Sequence, residues 1–291
     1  MIPLDFSSLF SWIIDPLAHG FMQRGLVVAV LVGAICALLS CYLVLKGWSL
    51  MGDAVSHAVL PGIVLAHVIQ IPLAIGAFVA GLGCALATGY LKANSRIKED
   101  AVMGIVFSGM FALGLVMFVK VDTDLHLTHI LFGNMLGVQW PDVVEAALIS
   151  VPAILIVLAK RKDLLLYCFD PAHARAIGLP VGLLHFGLLT LLALTIVASL
   201  KAVGIILVIA MLIAPGAIGY LMTKRFDVML AIAAAAAIGS SVIGTILSFH
   251  IDGATGPTIV VVQSVVFVLA LAWTKRPGKS GLAETGAKSS A

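Results

Sequence analysis

The sequence predicts an all-α protein: a polytopic membrane helix bundle of eight or nine transmembrane helices with a short cytoplasmic helix between two of them. Three observations carry this. Of 291 residues, 62% are hydrophobic and only 11% charged, where soluble domains carry roughly 25%. Mean hydropathy is +1.17. Apolar stretches of the length needed to cross hydrocarbon, about 20 residues, recur at 22–45, 50–69, 71–91, 101–119, 142–160, 181–199, 203–222, 228–249 and 257–273. That makes nine spans, or eight if the second or third is re-entrant.

Taken in order, residues 1–20 combine Phe6, Leu9, Phe10, Trp12 and Ile13 with Asp5 and Asp15, a pattern suited to a helix lying at the membrane interface and too broken to cross it. No basic stretch precedes a short apolar core there, so a cleaved signal peptide is not expected. Residues 21–274 then form the transmembrane domain, and 275–291, rich in Gly, Ser, Ala and Lys, read as a disordered cytoplasmic tail. If 92–100 is cytoplasmic, alternation puts 14 of the 17 Lys and Arg residues on that side, leaving Arg24, Lys120 and Lys201 outside. This asymmetry satisfies the positive-inside rule and places the C-terminus in the cytoplasm. The basic residues are thus arranged for topology and give no reason to expect a nucleic-acid partner. Cys36, Cys41, Cys84 and Cys168 lack C-x-x-C spacing, which argues against a disulfide framework and a thiolate metal site.

Within the second span, Asp53 and His57 stand four residues apart, on one helix face. Pro61 follows four residues later without an N–H, so the His57 carbonyl is expected to be a spare acceptor. Ionisable groups in a membrane helix cost several kcal/mol, and they mark ligand or ion routes. The plainer alternative is a self-satisfied pair that holds helices together. Gly104, Gly109 and Gly114 in the fourth span, and Ala231 to Ser241 in the eighth, predict close helix packing. Ala214-Pro215-Gly216 in the seventh span predicts a helix break, either a pathway wall or a kink that shapes the bundle.

Three connections stand out. Phe169-Asp170-Pro171-Ala172-His173-Ala174-Arg175-Ala176-Ile177-Gly178 has an N-cap in Asp170, a first-turn proline in Pro171 and a stop in Gly178. It reads as a self-contained cytoplasmic helix, either a rigid knob for a motor or a connector resting on lipid headgroups. Outside, Asp122, Asp124, His126 and His129 could attract a divalent cation or be an ordinary solvated surface. His250 and Asp252 sit in the last outer turn and could serve the entrance for the ion, although Gly253, Gly256 and Pro257 chiefly indicate a tight turn before a helix.

These motifs together resemble the ABC-3 family of metal permeases. The resemblance runs from about residue 20 to 273 and rests on Gly52-Asp53-Ala54-Val55-Ser56-His57-Ala58-Val59-Leu60-Pro61-Gly62, Glu99-Asp100-Ala101-Val102-Met103-Gly104-Ile105-Val106-Phe107-Ser108-Gly109, Phe169-Asp170-Pro171 and Gly256-Pro257-Thr258-Ile259-Val260. His129-Ile130-Leu131-Phe132-Gly133-Asn134 looks most like the manganese and chelated-iron branch. Ala254 departs from the family's usual proline, a local change in turn rigidity. The resemblance implies the membrane subunit of an ATP-binding-cassette importer in a bacterial inner membrane. An extracytoplasmic metal-binding protein would deliver manganese, iron or zinc, a second permease copy or paralogue would complete the path, and cytosolic ATPase subunits would drive it. It also implies that Asp53 and His57 contact the transported ion and that Phe169, Asp170, Pro171, His173, Arg175 and Gly178 couple to the ATPase. The ion is substrate, and no permanently bound cofactor is expected. The sequence holds no G-x-x-x-x-G-K-[ST] phosphate loop, so ATP hydrolysis is expected in a separate chain and none in this one. A proton-coupled secondary metal transporter is the alternative, since proton relays also use membrane Asp–His pairs. An intramembrane metalloenzyme would need a motif such as H-E-x-x-H, absent here.

Overall fold

The computed structural model describes residues 15–121, 133 and 135–274. The interfacial reading of the N-terminal segment and the disordered tail therefore fall largely outside the described residues. Described elements are helical, and eight helices are long and apolar enough to cross a membrane. In chain order they are α1 (Gly20–Lys46), α2 (Ser49–Ala58), α3 (Leu60–Ile69), α4 (Leu73–Ala93), α5 (Glu99–Lys120), a 3₁₀ turn at Met135–Gly137, α6 (Trp140–Ala159), α7 (Arg161–Phe169), α8 (Pro171–Ala176), α9 (Val181–Met222), α10 (Phe226–His250) and α11 (Thr255–Thr274). Leu50–Ile69, which joins α2 and α3, counts as one crossing, and so does α4, so neither the second nor the third predicted span is lost.

The centre of the bundle is α1, packed against α6, α9 and α10. Its most apolar stretch is 72% buried, because small residues let its neighbours close in. Gly33 faces Ser241 of α10, whose hydroxyl donates to Ala237 O at 2.8 Å and to Ala29 O across the interface at 3.4 Å. At the other end Gly47 takes a left-handed conformation (φ 75°) that stops α1, the conformation glycine tolerates at no steric cost. The Trp48 N–H then donates back to Leu43 O at 2.7 Å, and α2 starts at the next residue.

The predicted break at Pro215 is not where α9 breaks. Pro215 lies within helical backbone, and the non-helical residue is Gly204 (φ 76°, ψ 165°). Packing explains the difference. A Cβ on Gly216 would lie 2.5 Å from Ser40 O, so α9 is held backbone-to-backbone on α1 where proline would otherwise loosen it, and neighbouring helices make such a proline tolerable. Gly204 divides α9 into two arms. In the first, His185 touches Trp48; in the second, Gly219 faces Met229 at the start of α10. Arg161 of α7 pairs with Asp227 at that same end of α10, at 3.1 Å. Both arms therefore run to one end of the bundle, and the chain reverses near Gly204. The second arm, Leu207–Met222, is about 24 Å long at helical rise.

On the flank, α4 and α5 are loosely held. Their most apolar stretches are 28% and 17% buried. Gly62 of α3 and Gly76 of α4 leave no room for a Cβ on either, and Gly114 of α5 sits against Pro61 and Leu60. Gly104 and Gly109, predicted to pack, face open space instead.

Candidate metal site in the membrane

The site is built on α2. This helix starts at the Trp48 joint, and its hydrogen-bond ladder is interrupted at Val59, two residues before Pro61, while Val59 itself keeps right-handed helical angles (φ −67°, ψ −27°). One turn of α2 brings the predicted pair together: His57 Nε2 lies 3.3 Å from Asp53 Oδ1, with the side chains 26% and 31% exposed. The Val59 N–H is turned toward the His57 carbonyl, whose regular helical donor would be the residue at position 61, a proline without an N–H.

Depth follows from neighbours. Gly52 packs on Leu212 of α9, about 15 Å along the helix from its Met222 end. Gly81 of α4 packs on Val55, Val59 and Ala193. The pair thus lies well inside the bundle's length rather than at the end where Lys46 and Arg161 gather.

One wall is aromatic. The His57 ring stands edge-on to Phe111 at 5.1 Å and tilted to Phe107 at 6.1 Å. His57 Nδ1 is buried there with no hydrogen-bond partner among the described residues. The Asp53 carboxylate and Nε2 remain partly open on the other side. Ligating histidines usually have their second nitrogen oriented by a polar partner; here aromatic packing does the orienting. Neither phenylalanine was singled out as functional from sequence, although their four-residue spacing on one face of α5 was available as a signal. Among the described residues no three His, Cys, Asp or Glu side chains gather as a metal-holding group. The described residues therefore offer one carboxylate and one imidazole at this place.

The remaining predicted residues divide cleanly. Asp122, Asp124, His126 and His129 lie outside the described residues. His250 ends α10 with Nδ1 3.0 Å from Ile246 O, and Asp252 occupies a left-handed turn position (φ 51°). The Gly253 N–H donates to Ser248 O at 3.0 Å, so this is the predicted turn, at the far end of α10 from Asp227.

The predicted knob is present as α8. Asp170 Oδ1 accepts the His173 N–H at 2.9 Å, and Pro171 begins the helix. Gly178 stops it at φ 85°, with Leu179 N–H returning to Ala174 O at 3.0 Å. Ala174 anchors its inner face; Phe169, His173, Arg175 and Gly178 are exposed. Sequence reading missed α7, joined to α8 through Asp170 alone. Its buried Leu164, Tyr167 and Cys168 carried a readable i, i+3, i+4 signal. Burial pushes the Cys168 thiol up to about 11, with Lys46 opposing.

The ABC 3 transport family matches residues 18–274 of this chain. The chain belongs to that family. It is 65% identical over 263 residues to the chelated iron transport system membrane protein YfeD of Yersinia pestis, covering 90% of this chain and 89% of that one. To the manganese transport system membrane protein MntB of Synechocystis it is 50% identical over 278 residues, covering 92% and 91%. Its backbone superimposes on PsaBC of Streptococcus pneumoniae, solved in complex with a Fab, with a TM-score of 0.82 at 35% identity, over 90% of this chain and 95% of the other. An inward-facing metal-chelate type ABC transporter shares the fold at a TM-score of 0.68 and 16% identity. The chain is thus a multi-pass ABC permease of this family.

Proposed function

We propose that this chain is the permease subunit of an ATP-binding-cassette importer for manganese or iron in the bacterial inner membrane, its C-terminus in the cytoplasm, and that Asp53 and His57 are half of the site through which the ion passes. The observation that carries the reading is the Asp53–His57 pair at 3.3 Å, set inside an apolar bundle, partly open, and backed by the Phe107 and Phe111 rings. The names of the relatives favour manganese and iron; zinc suits the same donors.

One carboxylate and one imidazole are too few for a divalent ion that takes four to six ligands. A two-fold axis relating two permease chains, identical or paralogous, doubles the set. Such a nitrogen and oxygen set without thiolate binds these ions and still releases them, which transport requires. Movement of the two subunits would expose the shared site to alternate sides. Cytosolic ATPase chains acting on α8 supply the work, and an extracytoplasmic binding protein supplies the ion.

Replacing Asp53 or His57 with Ala should abolish manganese and iron uptake in cells at normal expression; uptake at the wild-type rate would overturn the assignment. Reconstituting the chain without ATPase separates the alternative, since uptake driven by a proton gradient alone would make it a secondary transporter.

A further inference from the structure

The joint at which α1 gives way to α2 is tied to α7 and α9 by four side chains from separate elements. Lys46 closes α1; its Nζ lies 4.3 Å from the centre of the Tyr167 ring and donates to Tyr167 O at 3.4 Å. It is also 5.9 Å from the centre of the Trp48 ring. Trp48, buried, begins α2 and stands edge-on to the His185 ring of α9 at 5.3 Å and 73°. The Tyr167 hydroxyl is 2.7 Å from His185 Nδ1. Lys46 to Tyr167, Tyr167 to His185 and His185 to Trp48 thus form a closed circuit around the point from which the Asp53–His57 helix springs.

We propose that this circuit is the mechanical link between the coupling helix and the metal site, with Tyr167, His185, Trp48 and Lys46 acting as positioning residues for Asp53 and His57. The inference rests on the transporter reading above. Its geometry has three parts. First, α7 and α8 share Asp170 as their junction: its N–H bonds back to Leu166 O at 2.9 Å and its O accepts the Ala174 N–H at 3.0 Å. A displacement of α8 is therefore passed to α7 with little slack, and Tyr167 lies within one turn of the junction. Second, what meets Tyr167 is directional. A hydroxyl–imidazole bond and a cation over a ring lose energy when sheared, whereas aliphatic packing would slide. Third, there is room to move. On its other side His185 lines an apolar cleft of about 440 Å³ with Ala85, Leu86, Gly89, Tyr90 and Phe186, into which the ring can swing. A linkage of directional contacts beside free volume leaves His185 room to respond when α7 shifts, and chains of packed, hydrogen-bonded side chains of this kind carry energetic coupling between distant sites.

The test uses the assembled transporter in proteoliposomes and reads manganese moved per ATP hydrolysed. Tyr167→Phe keeps the ring and the cation contact and removes only the hydroxyl. It should lower that ratio about 2- to 30-fold while hydrolysis continues and equilibrium manganese binding is unchanged. His185→Leu should lower it similarly, and the double variant should be no worse than the more affected single variant, as expected for two ends of one contact. Gly89→Leu alters none of the four residues and puts a side chain where a Cβ meets nothing within 4 Å; by filling the cleft beside His185 it too should lower the ratio. An unchanged ratio in Tyr167→Phe, or transport and hydrolysis falling in parallel as for a merely destabilised protein, would overturn the linkage. Asp53→Ala run alongside tells the two readings apart. If it stops transport while Tyr167→Phe changes nothing, the linkage alone fails; if it transports normally, the transporter site fails and the linkage with it.

Discussion

Neighbouring helices bury 72% of the apolar stretch of α1, whereas α5 buries only 17% of its own. Composition does not explain the contrast, since both helices are apolar and glycine-bearing. What differs is what the glycines meet. Gly33 of α1 and Gly216 of α9 lie against neighbouring helices, while of the three glycines in α5 only Gly114 does so and Gly104 and Gly109 meet nothing. The chain thus has a finished scaffold, α1 with α9 and α10, and an unfinished flank, α4 and α5, with the Asp53–His57 helix wedged between them. A site at that boundary can be fixed on one side and adjustable on the other.

The strongest way to break this contrast is in the scaffold. Gly216→Leu forces a side chain onto the Ser40 backbone, and overpacking of this kind should cost about 3 kcal/mol or more; thermal unfolding of the purified protein followed by helical circular dichroism should show a clear loss. The same change on the flank, Gly109→Leu, should leave thermal stability within about 0.5 kcal/mol. If α5 meets a second permease, association measured by cross-linking should nevertheless weaken by about 1–3 kcal/mol. Equal losses of stability at the two positions would erase the distinction.

Two smaller effects sharpen it. Phe111→Ala removes the edge-on ring beside His57, a contact worth about 1 kcal/mol, and should weaken manganese binding severalfold with the fold intact. Asp170→Ala removes the α8 cap, also worth about 1 kcal/mol, and should lower ATPase association while leaving metal binding unchanged. Smallest of all, Cys168, its thiol raised to about 11, should stay unmodified by maleimide at neutral pH until the protein is unfolded, as read by mass spectrometry.

Features set by neighbouring residues were readable in the sequence. The spans follow from hydropathy, the Asp53–His57 contact from four-residue spacing, and α8 from Asp170, Pro171 and Gly178 at its ends. Features decided by tertiary contact were not. Pro215 carries the strongest local breaking signal in α9, yet the break falls at Gly204, where Gly133 from the connection between α5 and α6 packs against Val203 and Gly204. The open faces of Gly104 and Gly109 were equally hidden, because a small residue looks the same in sequence whether its neighbour belongs to its own chain or to none. Tyr167 and His185 are 18 residues apart in two different helices, beyond any local rule.

The short second arm of α9 has a bearing on the surrounding lipid. At about 24 Å it falls short of a hydrocarbon layer of about 30 Å, a mismatch that would make an acyl-facing helix tilt or thin the bilayer around it. From Leu207 to Gly219, however, no residue is exposed, and only the end at Tyr220 and Met222 opens outward, so the stretch around Leu212 is largely screened by protein. Adjustment to bilayer thickness falls instead on the outward-facing helices. The wall that carries Leu212 beside Gly52 is thereby insulated from lipid composition, and the depth of Asp53 is set by protein alone.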